Sequence, residues 1–122
     1  MHERFQQITY RGTTIVVVDA SNMTDEKELQ KLMKTRSGIT RPHGLLLDAT
    51  NTHVSPMTLQ TVKSHSKDIM PIVKATAVVG TGSLLGVMVR AVARFSGMKI
   101  ATFESRQPAL DWLASELSKP QP

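Results

Sequence analysis

The sequence predicts one α/β domain with a mixed, mostly parallel five-stranded sheet and four helices, in the order ββαβαβαβα. Three observations carry that prediction. After an opening hairpin, short aliphatic or β-branched runs alternate with stretches of helical period, as strands joined by right-handed crossovers do. The 122 residues match one domain and are enough to bury a real core. Hydrophobic residues make up 40% of the chain, aromatics 4% and Cys none, so the core is expected to be aliphatic and unstapled.

The elements follow in order. Residues 5–10 alternate loosely, Arg11-Gly12 is a turn signal, and Thr13 to Val18 is a β-branched run; together they predict a hairpin. Thr24 ahead of Asp25 and Glu26 starts a helix, because acids suit the positive end of the helix dipole. Leu29, Leu32 and Met33 give that helix its stripe, and Gly38 stops it. Leu45-Leu46-Leu47 is a continuous apolar run, expected of a strand covered on both faces. Ser55-Pro56 opens the second helix, with Leu59, Val62 and Ile69 as its inner stripe. Ala75 to Val79 is the next strand, and Gly80 to Ser83 turns into a third helix over about 84–95, ended by Gly97. Lys99 to Phe103 is the last strand. Ser105 is expected to cap a final helix that buries Leu110, Leu113, Ala114 and Leu117 and carries Trp112 on its opposite side, over the domain rim. The single domain spans 1–122, with a core at about 5–117 and a frayed tail at 118–122.

Val16-Val17-Val18-Asp19-Ala20-Ser21-Asn22 echoes Leu45-Leu46-Leu47-Asp48-Ala49-Thr50-Asn51, position by position. Two readings are open. These polar residues bond their own backbone where a strand ends. Alternatively, Asp19 and Asp48 form a paired-carboxylate site, which requires their strands to be neighbours.

The net charge of +5 invites a nucleic-acid partner. The basic residues are scattered along the chain, and few aromatics are available for stacking on bases, so a solvated surface is expected instead. The first residues lack the order of a signal peptide, and the longest apolar stretch, Leu84 to Ala93, is too short to span a bilayer. The expected location is the cytoplasm.

No residue set is strong enough to state a reaction. Asp48, His53 and Ser55 have the residue types of a triad but no nucleophile elbow, and the four His show no metal-ligand spacing. No catalytic residue, metal or cofactor is expected. Gly80-Thr81-Gly82-Ser83 with Glu104 has the context of a dinucleotide turn, but Gly86 falls one position late for that motif. A small ligand, such as a phosphate or nucleotide, would sit at the carboxyl rim of the sheet, at Asp19, Asp48, Gly80, Thr81, Gly82 and Ser83. The third helix is apolar around most of its circumference. It is either buried between sheet and helices, or its Leu85, Val89 and Ala93, with Arg90 and Arg94 at the rim, face a second copy or an apolar, lipid-like ligand.

Several segments resemble a known family. Gly44-Leu45-Leu46-Leu47-Asp48 with its polar loop and Ser55-Pro56 is similar to that family's central strand and loop. Ala77-Val78-Val79-Gly80 is similar to its fourth strand. Ala93-Arg94-Phe95-Ser96-Gly97-Met98-Lys99-Ile100, and Phe103 with Ala109-Leu110-Asp111-Trp112-Leu113, resemble its C-terminal third. The family is the SpoIIAA-like, or STAS-like, single-domain proteins, distant relatives of anti-sigma-factor antagonists and sulphate-transporter STAS domains. The resemblance covers about residues 5–117.

It implies a regulatory or interaction module with a mixed sheet and four helices. Together with the over-apolar third helix, it leads to the expectation of a non-enzymatic module that binds a partner protein and forms a homodimer. In anti-sigma-factor antagonists, a Ser at the start of the second helix, within Asp-Ser-Ser-Gly, is phosphorylated. The matching stretch here is His53-Val54-Ser55-Pro56-Met57-Thr58. It lacks the Asp and the Gly, which leaves Ser55 or Thr58 as the acceptor. A phosphate there would meet the free N–H groups and positive dipole of a helix start. Capping alone also accounts for Ser55.

Overall fold

The computed structural model describes residues 5–19, 21, 27, 31, 42–50, 72–80, 90 and 99–119. They form five strands and one helix: β1 (Phe5–Tyr10), β2 (Thr13–Asp19), β3 (His43–Asp48), β4 (Val73–Val79), β5 (Ile100–Phe103) and α1 (Arg106–Ser118). The expected helices after Thr24, Ser55 and Ser83 lie outside the described residues.

The strands lie side by side in sequence order, β1-β2-β3-β4-β5. β1 is antiparallel to β2, and every later neighbour pair is parallel. The predicted mixed sheet with an antiparallel first strand is therefore present. The hairpin follows from its turn. Arg11 and Gly12 take φ of 49° and 78°, the positive values that a two-residue loop of type I′ requires at both centres. Gly accepts that backbone freely, whereas Arg11 is held in it by six paired positions, from Phe5↔Val18 to Tyr10↔Thr13.

α1 packs across one face of the sheet. Ile15, Val17, Leu46, Ala75, Ala77 and Val79 meet Ala109 and Leu113 there, with Ile8, Tyr10, Phe103, Leu110, Trp112 and Leu117 around them. The core is aliphatic, as the composition requires. Small residues set its depth. A Cβ on Gly44 would lie 2.9 Å from Leu117 Cδ1, so a larger residue there would have to displace the tip of that side chain. Val16, Val18, Leu45 and Val78 alternate with these residues and are buried on the opposite face. Both faces of the sheet are thus covered, as the continuous apolar runs of β2 and β3 predict.

Two expectations for the last helix need correction. Ser105 holds the N-cap position with extended backbone, but its hydroxyl makes no capping bond. Trp112 does not lie opposite the core face. At about 100° per residue it is one step from Leu113, and its ring reaches the flank of the core beside Phe103, with centroids 5.6 Å apart and planes at 48°.

Candidate functional site

The carboxyl ends of β2 and β3 bring the two halves of the sequence echo together. Val16, Val17 and Val18 pair with Leu45, Leu46 and Leu47, and Asp19 pairs with Asp48. The register makes the echo a spatial fact: two aspartates stand side by side on the α1 face of adjacent parallel strands. Each closes a short polar turn. Asp19 Oδ1 accepts from the backbone N–H of Ser21 at 3.0 Å and from the Ser21 hydroxyl. Asp48 Oδ1 accepts from the N–H of Thr50 at 3.1 Å and from the Thr50 hydroxyl at 2.7 Å. These are Asx turns, the local bonding expected of such residues at a strand end.

The second oxygen of each carboxylate meets one cation. Arg106, the first residue of α1, donates from Nε to Asp48 Oδ2 at 2.9 Å, and its Nη2 lies 2.9 Å from the same oxygen. Nη2 also lies 3.5 Å from Asp19 Oδ2. The side chains of Asp19 and Asp48 are only 8% and 11% exposed, and that of Arg106 is 45% exposed. The guanidinium therefore spans two carboxylates that the fold has largely removed from water. Without it, like charges would face each other in a poorly solvated place. The turn bonding of the echo is thus present, and so is the strand neighbourhood that a paired-carboxylate site requires.

Each of the four carboxylate oxygens has a partner within the cluster, so both side chains are engaged in local structure. The cluster fixes backbone. It ties the ends of β2 and β3 to the start of α1, and main-chain bonds continue the tie: Ala49 N–H donates to Val79 O at 2.7 Å, and Gly80 N–H to Phe103 O at 3.0 Å. Gly80 takes φ of 152° and carries the chain off β4.

Of the other candidate residues, Arg90 has helical backbone and is exposed. Glu104 and Ser105 are exposed beside the rim. Ser55, Thr58, Thr81, Gly82, Ser83, Leu85, Val89, Ala93 and Arg94 lie outside the described residues. Among the described residues, no group of three or more His, Cys, Asp or Glu is placed to hold a metal ion, and no helix is long and apolar enough to cross a membrane. Sequence reasoning missed Arg106. One signal was available: a cation in the first turn of a helix opposes the dipole and so needs a compensating acid.

No family model matches the chain, and no curated protein matches it. Among solved structures, it is similar to an uncharacterized protein from the DUF3478 family with a SpoIIAA-like fold, from Shewanella loihica. The identity is 21% and the TM-score 0.60, over 89% of this chain and 91% of that one. The fold is therefore SpoIIAA-like, as the segment resemblance predicts.

Proposed function

We propose that the chain is a non-enzymatic regulatory module that works by binding a partner protein at the carboxyl rim of its sheet. The observation that supports this most is the Arg106 clamp. It engages the rim's two carboxylates in holding the polar turns after β2 and β3 to the start of α1, which supports a preset contact surface there. A SpoIIAA-like fold, whose relatives the resemblance makes regulatory, agrees with that reading.

Control by phosphorylation belongs to the same proposal. The chain leaves Asp48 through the turn at Thr50 and reaches Ser55 five residues later, with Thr58 just beyond. A phosphate on either would add close to two negative charges within eight residues of the rim turn in sequence and alter the charge a partner meets. Native mass spectrometry of freshly purified protein tests the whole reading. The expected spectrum shows a phosphorylated fraction that Ser55→Ala with Thr58→Ala removes, and no bound small molecule. A retained nucleotide or lipid would overturn the interaction reading, and phosphate that survives the double substitution would overturn the site.

A further inference from the structure

The two edges of the sheet differ in how well they are protected. β5 has four residues and lies between the exposed Lys99 and Glu104. Short length and flanking charge are the usual ways to keep an edge strand from pairing. β1 has neither. Its six residues, Phe5-Gln6-Gln7-Ile8-Thr9-Tyr10, include no charge and no proline, and they pair with β2 without a bulge. Gln6, Gln7 and Thr9 are exposed. Among the described residues, no strand pairs with the outer edge of β1. A regular, uncharged, solvent-facing edge is a ready template for another strand.

We propose that this edge pairs antiparallel with β1 of a second copy of the chain, joining two five-stranded sheets into one continuous sheet about a two-fold axis. A second copy fits because β1 is self-complementary when pairing is centred on Ile8. Ile8 then faces Ile8 of the other copy, and Gln6 faces Tyr10, on the side where Ile8 and Tyr10 already flank the core. On the other side Gln7 faces Thr9, a polar pair able to hydrogen-bond. The register also separates like charge. Arg11 falls opposite Phe5, so the two Arg11 side chains start roughly 20 Å apart, six residues along a strand. That exceeds the screening length of about 8 Å at physiological salt. A strand pair with few side chains makes a small interface, so the expected dissociation constant is on the order of 100 µM. The inference does not rest on the phosphorylation reading and survives its failure.

Sedimentation equilibrium over a concentration series spanning about 10 µM to 1 mM is the test, since a weak dimer reveals itself by mass action. The expected result is a reversible monomer–dimer equilibrium. Gln7→Lys with Thr9→Lys sets Lys against Lys and should weaken it more than tenfold. Gln7→Lys with Thr9→Glu sets opposite charges across the same pairs and should restore it. Both positions are exposed, so thermal unfolding in dilute solution should be unchanged. If a variant fails to fold, isotope-filtered NMR on mixed labelled and unlabelled wild-type protein reads the contact directly, through an intermolecular signal between the two Ile8 residues. A monomer at every concentration overturns the proposal. So does a dimer that the Lys pair leaves intact, or one lost only with Leu85→Glu and Val89→Glu, which would move the contact to the predicted third helix.

Discussion

Two Arg–Asp clusters fasten α1 to the sheet, and they differ in burial. At the carboxyl rim, Arg106 meets Asp19 and Asp48, whose side chains are nearly closed to water. At the hairpin turn, Arg11 Nη2 lies 3.3 Å from Asp111 Oδ1, with the two side chains 65% and 42% exposed. Tyr10 completes the second cluster. Its hydroxyl donates to Asp111 at 2.5 Å and accepts from Gln107 Nε2 at 2.8 Å, while Arg11 lies over its ring at 5.4 Å. The residue types are the same, but the energetics are not. In the exposed cluster water can replace any partner, so each contact is worth little. In the buried one, removing the cation leaves two carboxylates facing each other where hydration is poor, with no charge between them to offset the repulsion. The contrast teaches that the rim cluster is the rigid attachment and the hairpin cluster an adjustable one.

Arg106→Met should break the contrast most sharply. It keeps the apolar stem and removes the charge, and unfolding free energy in urea should fall by about 3 kcal/mol, the low end for an unpaired buried ion because Arg106 is itself partly exposed. Gly44→Ala comes next. The new methyl would press on the tip of Leu117 and make it repack, at a cost of about 1 kcal/mol, and Leu117→Ala should relieve the crowding. Arg11→Ala should cost no more than about 0.5 kcal/mol, and high salt should mask the loss. A loss like that of Arg106→Met would erase the distinction.

The smallest effect is a pH dependence at the far end of α1. The Lys119 hydrogen bond holds the Glu116 carboxyl below its ordinary value of 4.5, opposed by desolvation and helped by the charges of Lys119 and Lys99. A carboxyl lowered on folding adds stability above about pH 4.5, and that stability is lost as pH falls through the folded value beneath it. Lys119→Ala should flatten this acid limb, seen as urea midpoints between about pH 7 and pH 3 that fall less steeply than in the wild type.

The sheet was legible because its signals are local. Arg11-Gly12 specifies a turn, and the consecutive apolar residues of β2 and β3 mark strands buried on both faces. The site was legible by half. The Asp-x-Ser/Thr echo shows in the chain, but whether Asp19 meets Asp48 depends on strand order, which no local pattern encodes. Arg106 was invisible for the same reason, because its partners lie 58 or more residues earlier. Trp112 was misplaced because it lies about 200° around the helix from Leu110 but about 60° from Ala109, and Ala109 rather than Leu110 is fully buried.

A double-mutant cycle between Arg106→Met and Asp48→Asn tests most directly whether the rim is held as one charged unit. The predicted coupling is about 2 kcal/mol or more, with Asp48→Asn recovering part of the stability that Arg106→Met removes. Additive losses, with a coupling below about 0.5 kcal/mol, would show instead that the rim ion pair is as replaceable as the one at the hairpin.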